Sequence, residues 1–583
     1  MEKADKLHNM RHTLAHLLAA SIGEIYKFNN IKLTLGPAID NGFYYDIDFL
    51  GEKVNDADLS KIEKVMKKRL ASWTSWEHKE INKDEALKFF NNEYKAELIN
   101  EIAERGEKIT TYTCGGFTDL CRGGHLENPA KEISPDAFKL ERVAGAYWRG
   151  DEKNKMLTRI YGLAFETKDE LDAYVKQQEE AKLRDHKKLG KELDLFTFSD
   201  LVGAGLPLFT PKGTIVRDLL DGFVWDLRKA VGYERVDIPH ITRKELYETS
   251  GHWEKFENDL FKINTREEHL FAMKPMNCPH HAQIYNRKQW SYRELPQRYA
   301  STTKVYRDEQ SGELGGLTRV RSITQDDAHV FCRLSDASVE MEKIYKIVKA
   351  FYGSFGFSLV PRLSLHDPEN MAAYLGTEEV WVNSEKSLRE IIKKNGETHI
   401  EALGEAAFYG PKIDFMAKDA IGREHQVATI QLDMNQPERF DLFCINEKGE
   451  QERIVMIHAA IMGSIERFMS VLIEHVAGNF PLWLSPVQVK IIPVRTNHNE
   501  YAKEVYEMLR ENNIRAELDD KDENLGTKVR DAKNNKLPYW IVIGDKEIEA
   551  SKVTLESRDN GQLGQVSKEE LVEKLLKEIK LKK

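Results

Sequence analysis

His12 and His16 stand four residues apart in MRHTLAHLLAASIGEIY, a segment with helical periodicity that places both imidazoles on one face. Ala19, Ala20 and Gly23 continue that face, which predicts open space beside the rings. Leu14, Leu18, Ile22 and Ile25 point elsewhere and are expected in a core. Further along, Cys121 and His125 repeat the spacing in the glycine-rich stretch DLCRGGH, with Asp119 just before them. A fold that joins the two segments assembles one thiol and three imidazoles. Such a set can ligate zinc or hold a water for hydrolysis. Spacing alone leaves both open, beside two unrelated structural pairs.

Length constrains the rest. At 583 residues the chain exceeds a single hydrophobic core, so about three or four domains are expected. An apolar share of 41% and a charged share of 31% are those of a globular protein. No apolar run approaches the roughly 18 residues of a membrane span, and charge begins at Glu2, unlike a secretory leader. Five scattered cysteines argue for a reducing compartment, hence a cytoplasmic protein with no membrane partner. Cys114, Cys332 and Cys444 read as plain buried or semi-exposed thiols. The net charge of −10 weighs against broad nucleic-acid affinity, although phosphate contacts need only a local basic surface. RNA affinity is expected to be moderate and salt-sensitive.

Residues 1–163 read as a first domain, and the charged stretch 164–192 as a linker helix with Leu171, Tyr174, Val175 and Leu183 at helical spacing. In residues 193–484, Thr210 and Pro211 form an N-cap and first-turn proline. Val216, Leu219, Leu220, Phe223, Val224 and Leu227 then mark one helix face, and Gly232 ends the helix. GYERVDIPHI reads as a strand after it. Residues 485–583 alternate: a strand in VQVKIIPV, a helix over 499–512, a short strand near 516–518 and a buried strand in PYWIVIGD. A terminal helix opens with a capping box at Ser567 and Glu570.

HTLAH with DLCRGGH, followed by AYWRGDEKNKMLTRIYGLAF at 146–165, resembles the editing domain of bacterial threonyl-tRNA synthetases. The resemblance continues in family order through KPMNCP at 274–279, RVRSITQDDAHVFC at 319–332, FYGPKIDF at 408–415, TIQLD at 429–433 and MIHAAIMGSIERF at 456–468. It implies an α/β and α+β multidomain chain. Its parts are an α+β editing domain, a class II catalytic domain on an antiparallel sheet and a C-terminal α/β anticodon-binding domain. The small ubiquitin-like domain that usually precedes the editing domain has no counterpart in this sequence. The helix and strand at 212–240 resemble motif 1, the dimer interface of the class, so a homodimer is expected.

The resemblance also implies roles. Arg307, in KVYRDEQSGELGGLTRVR, corresponds to the motif 2 arginine on the α-phosphate of ATP, Glu309 to the adenine contact and Arg319 to the outer phosphates. Arg467, in GSIERF, corresponds to the motif 3 arginine on the γ-phosphate. Gln426, Thr429 and Ser464 are expected to line the nucleotide pocket, with Mg2+ accompanying ATP. Activation joins a carboxylate to a phosphate, two anions, and arginine forks suit that task. Cys278, His329 and His458 are far apart and no spacing rule connects them. The resemblance makes them ligands of one Zn2+ per subunit, with positions left open for the amino and hydroxyl groups of L-threonine. Gln325, Asp327, Tyr409 and Gln431 are the remaining implied threonine contacts, with Lys412 beside them. Asp327 suits the ammonium group. His280 and His281 read as packing or surface residues.

A pocket that reads a hydroxyl rejects valine strongly but serine weakly, since a missing methyl is worth about 1–3 kcal/mol. A second, hydrolytic site is therefore expected in the N-terminal Cys/His cluster, where Lys95 and Asp119 also match editing residues of the family. Departures from the family are Ile323 for an aromatic over adenine, Gly315 for histidine, His280 for glycine and Ala459 for arginine. Glu547 matches an anticodon contact, whereas Glu556 replaces an arginine, with Arg558 two residues on, and Asp522 replaces an asparagine. The expected activity is charging of tRNA(Thr) with threonine and hydrolysis of mischarged seryl-tRNA(Thr). The alternatives are a catalytically weak RNA-binding regulatory paralogue and a free-standing editing hydrolase. Intact Arg307, Arg467 and zinc ligands argue against the first, and the long remainder of the chain against the second.

Overall fold

In a computed structural model that describes residues 2–582, the chain divides into two units, Met1–Glu179 and Glu180–Lys583. The first opens on the helix Glu2–Tyr26. Leu14, Leu18 and Ile22 are fully buried, and the helix packs on the strand Gly42–Phe49 and the helix Leu59–Leu70. Ala19 and Ala20 are equally buried, and the Phe28 ring lies where a Cβ on Gly23 would stand. The small-residue stripe is therefore packed core and not the open space expected. The supporting sheet runs Ile31–Leu33, Gly42–Phe49, Met156–Ala164, Phe138–Tyr147, all antiparallel. A second antiparallel sheet, Glu77–Glu80, Thr110–Cys114 and Phe117–Leu120, leads into the DLCRGGH loop. The pleat of its last strand buries Phe117 and Asp119.

The charged stretch is two helices, not one. Lys168–Arg184 stops at Asp185, whose extended ψ and side chain cap a second helix, His186–Glu192.

An eight-stranded sheet organises the second unit. Its order is Glu234–Arg235, Gln297–Tyr306, Ser322–Cys332, Val455–Ser464, Glu424–Asp433, Lys412–Lys418, Ser358–Leu365, Ile400–Leu403. The two outermost pairings are parallel and the inner five antiparallel. The strand expected over 232–241 shrinks to Glu234–Arg235, because Pro239 has no N–H for the ladder and Ile241–Arg243 pairs in another sheet. Helix Pro211–Lys229, capped by Thr210, packs with Leu334–Gly353 and Ile465–His475 over the sheet in the largest apolar core.

Strand alternation separates Asp326 from Asp327. Asp326 is fully buried and accepts the amides of Ile461 and Met462 at 2.9 and 3.0 Å. Arg228, from the covering helix, reaches the carbonyls of Asp326 and Ala459 and lies 3.3 Å from the Asp326 carboxylate. Burial still outweighs these partners and pushes the Asp326 carboxyl up to about 6. Asp327 turns to the opposite face of the sheet.

The C-terminal residues build a five-stranded sheet in the order Ala516–Leu518, Val489–Pro493, Tyr539–Ile543, Val553–Ser557, Gly561–Val566. Helices Asn499–Glu511 and Lys568–Lys580 bury Ala502, Val505, Leu509, Leu571 and Leu575 against it, and the Ser567/Glu570 capping box is formed. Among the described residues, no helix is long and apolar enough to cross a membrane.

Candidate functional site

Two neighbouring strands bring the distant donors of the second unit together. His329 and His458 are direct cross-strand partners, and Gln431 faces His458 from its other side. Cys278 enters from the start of the helix Cys278–Tyr285. The three donor atoms are buried and lie within 4.8 Å of one another. Nε2 of His329 is 3.1 Å from Nδ1 of His458. The far nitrogen of each ring is held from outside: Nε2 of His458 by Asp433 at 2.9 Å and Nδ1 of His329 by His281 at 2.8 Å. A carboxylate behind a histidine is the usual support of a metal ligand. Without a cation the Cys278 thiol is pushed well up by burial and by the Asp327 and Asp433 charges. One thiol and two imidazoles brought together, both rings supported from outside, fit Zn2+.

The expected threonine contacts surround this point. Asn277 donates to both Gln325 and Asp327, at 3.2 and 3.1 Å, and Tyr409 donates to Gln431 at 2.7 Å. Tyr409 also stacks on the His458 ring. Burial lifts the Asp327 carboxyl above its usual range, against the pull of His458, Asn277, Arg228 and Lys274. An acid short of positive charge in a buried pocket matches an ammonium group.

Beside it opens a pocket of about 520 Å³ lined by Arg307, Glu309, Arg319, Gln426, Thr429, Ser464 and Arg467, all of the residues expected around ATP, together with Ile323 and Gln325. The Arg307 guanidinium lies over the Phe256 ring, and its Nε has no protein partner. Arg319 and Arg467 are exposed, with Arg319 held 2.7 Å from Glu309. The sequence reading missed the acids behind this wall. Asp414, fully buried, accepts from Gln426 and Thr429, both at 2.8 Å, and pairs with Lys412. Buried Glu466 binds Ser464 and the backbone and hydroxyl of Thr324, locking the Arg467 helix to its neighbouring strand. A Cβ on Gly315 would meet the Thr318 hydroxyl at 2.6 Å. His280 and His281 are both buried, so neither is a surface residue.

In the first unit the four expected donors also converge, within 4.8 Å of one another. Cys121 Sγ lies 3.5 Å from His12 Nε2 and 3.3 Å from His125 Nε2, and His12 and His16 meet at 3.2 Å. Asp119 anchors the group from below, accepting from Tyr45 at 2.6 Å and Lys95 at 2.5 Å and holding His16 Nδ1 at 3.0 Å. Trp76 stacks on His125 at 4.0 Å, with Tyr112 at its edge. Tyr45, Trp76 and Tyr112 sit on other segments and carry no spacing signal. Burial disfavours charge here, but Asp119 and Cys121 outweigh it and raise His16 to about 9. Hydrogen bonds from His12, His125 and His16 likewise overcome burial and hold the Cys121 thiol at about 3.

In the C-terminal sheet, the Glu547 carboxylate accepts from Thr554, Gln565 and the Gly544 amide. Glu556 accepts from Trp540 Nε1, and Arg558 donates to the carbonyls of Phe480 and Lys536. Asp522 lies exposed in the loop before the helix Leu525–Asn534.

The model of the tRNA synthetase class II core domain (G, H, P, S and T) matches residues 261–476, and that of the anticodon binding domain residues 488–578. The threonyl and alanyl tRNA synthetase second additional domain matches residues 109–161. With the antiparallel sheet and its arginine-lined pocket, these matches define a class II aminoacyl-tRNA synthetase. The threonine–tRNA ligase of Porphyromonas gingivalis is 48% identical over 570 residues, 97% of this chain and 86% of that one. That of Deinococcus radiodurans is 47% identical over 555 residues, 94% of this chain and 85% of that one. The solved RNA binding domain of threonyl-tRNA synthetase from Cryptosporidium parvum superposes with a TM-score of 0.65 at 36% identity, covering 67% of this chain and 98% of that one. The chain belongs to the threonine–tRNA ligase family.

Of the five cysteines, Cys121 alone is not buried. Its depressed pKa predicts that iodoacetamide modifies Cys121 at nearly the same rate at pH 6 and pH 8. An ordinary thiol slows on the order of a hundredfold over that interval as its thiolate fraction falls. Peptide mass spectrometry at the two pH values measures this. Modification that begins only after chelator treatment would instead assign the four donors to a metal.

Proposed function

We propose that the chain activates L-threonine with ATP, transfers it to the 3′ end of tRNA(Thr) and hydrolyses mischarged seryl-tRNA(Thr). The observation that carries this reading is the convergence of every expected nucleotide residue on one pocket, whose Gln325 accepts from Asn277 next to Cys278 of the Cys278, His329 and His458 cluster. In activation the threonine carboxylate attacks the α-phosphorus. A new P–O bond forms, the bond to the β-phosphate breaks, and pyrophosphate leaves. Arg307 meets the α-phosphate with a guanidinium that has an unpaired Nε, while Arg319 and Arg467 neutralise the outer phosphates. Asp327 accepts the threonine ammonium, and Tyr409 and Gln431 close the pocket around it. Cys278, His329 and His458 would hold Zn2+, which would supply a Lewis acid for the polar groups of threonine, and Mg2+ would accompany ATP. In transfer, a ribose hydroxyl of the terminal adenosine attacks the carbonyl of the adenylate and AMP leaves.

Editing belongs to the first unit. His12, His16, Cys121 and His125 hold a water and the serine ester, with Lys95 and Asp119 fixing the floor of the site. The Glu547 region of the C-terminal domain faces the anticodon. Two chains join through the 212–240 segment, and the tRNA substrate implies the cytoplasm.

Pyrophosphate exchange across threonine, serine, valine, alanine and proline tests the central reading; threonine is expected to dominate, with serine as the main competitor. Cys278→Ser should lose the bound zinc by elemental analysis and lower threonine activation by at least on the order of a hundredfold. Full activation by metal-free protein would overturn the zinc assignment. The double variant His12→Ala, His16→Ala should keep threonine charging nearly intact while seryl-tRNA(Thr) accumulates. Deacylation of seryl-tRNA at the parent rate would remove the editing role from these histidines. Sedimentation of the active enzyme at micromolar concentration should give the dimer mass, and an active monomer would count decisively against the 212–240 interface.

A further inference from the structure

His186 opens the helix His186–Glu192 and is 4% exposed. Its two ring nitrogens reach two different elements that carry residues of the nucleotide pocket. Nδ1 lies 2.7 Å from Glu474 Oε1, in the last turn of the helix Ile465–His475, whose first turn carries Arg467. Nε2 accepts the backbone N–H of Leu317 at 3.1 Å, two residues before Arg319. Because Nε2 is the acceptor, the neutral ring carries its proton on Nδ1 and donates it to Glu474. Gly316 is shaped for the contact: its φ is +60°, and a Cβ there would stand 2.4 Å from His186 Nε2. Leu317 is itself fully buried. The cluster of Asp185, His186 and Glu474 has the composition of a cation site. Both imidazole nitrogens are spoken for, however, so no lone pair remains for an ion.

The far end of the contact is also secured. Arg423 lies 2.7 Å from the other Glu474 oxygen, and Arg184 donates to the His475 carbonyl at 3.0 Å. The loop it holds contains Gly312, Gly315 and Gly316, a composition that loses much entropy when fixed. Arg319 and Arg467 are both exposed and sit on elements that no direct contact between the two arginines aligns.

We infer that His186 is a positioning residue for the ATP site, a brace that sets the Gly315–Arg319 loop against the Arg467 helix so that both arginines meet one triphosphate. This rests on the ATP reading of the pocket given above. The brace acts on the nucleotide and leaves the threonine contacts, which His186 does not touch, in place.

The test is threonine-dependent pyrophosphate exchange by the full chain, with ATP and then threonine varied. An asparagine side chain reproduces the Nδ1 donor and cannot reach the loop, whereas glutamine places its oxygen near Nε2. His186→Asn should raise the ATP KM about tenfold, the worth of one lost buried hydrogen bond, and leave the threonine KM unchanged. His186→Gln should restore most of the ATP affinity. An unchanged ATP KM in His186→Asn, an equal defect in both variants, or parallel rises in both KM values would overturn the inference. Hydrogen exchange of the unliganded parent protein provides a second reading that needs no variant. The Leu317 amide should be protected, and exchange at the free-chain rate would overturn the brace even if the variants do not fold. A parent chain that shows no threonine-dependent exchange would refute the ATP reading instead, and amide protection would still decide whether the brace exists.

Discussion

One antiparallel register governs the second unit. With His329 opposite His458 and Asp327 opposite Ala460, the donors and the acid face one side of the sheet. A slip of one residue in Ser322–Cys332 would turn His329 and Asp327 into the helix layer and Asp326 toward the pocket. Asp326 opposes that slip. It is buried on two backbone amides and on Arg228, and stripping such a carboxylate of its partners costs about 3–5 kcal/mol. Arg228 reaches it from the covering helix by passing the Ala459 carbonyl at 3.1 Å. The Ala459 carbonyl is thus held by a guanidinium supplied from another element.

The same device recurs under each group of site residues. Asp433 orients His458, Asp414 fixes Gln426 and Thr429, Glu466 fixes Ser464, and Asp119 fixes His16 and Lys95. In each case a side chain of the site is held by a buried acid. A buried carboxylate with several donors accepts little displacement, because each broken contact leaves charge uncompensated in a low-dielectric interior. Rigid first contacts on supported rotamers are what charge stabilisation at a developing phosphate bond needs.

Much of this was legible in the sequence. The His12/His16 and Cys121/His125 spacings located one cluster, because helix and loop spacing is local information. The βαβ alternation after residue 485 and the Ser567 capping box were legible for the same reason. The candidate zinc donors were not: His329 and His458 meet through sheet pairing, Cys278 joins them from a separate helix, and the motif resemblance had to supply all three. Apart from Asp119, the supporting acids escaped notice because an isolated Asp or Glu reads as surface. The Ala19–Ala20 stripe misled, since small residues on a helix serve close packing as readily as an open cleft. The 232–241 strand failed at Pro239, a breaker inside an otherwise apolar pattern. His186 carries no motif signal at all; only its two partners in space reveal what it joins.

The two clusters also differ in what kind of selection their chemistry permits. In the proposed reading the second unit meets its substrate through polar groups, and a polar reader rejects a substrate that lacks the matching group far better than one that lacks a methyl. The first unit offers the complementary instrument. Around the Cys121 thiolate stand His12, His16, His125, Trp76 and Tyr112, with His125 packed between Trp76 at 4.0 Å and His12 at 4.6 Å. Rings in contact with one another yield little, because close-packed interiors respond to an added methylene with strain of about 1–3 kcal/mol. In the proposed editing site such walls would distinguish side chains by size, in the direction opposite to the proposed polar site: the smaller serine would enter and the larger threonine would be excluded. A chain that must tell serine from threonine gains little from a second polar reader, and a small aromatic box is the arrangement that would supply the discrimination a polar site lacks.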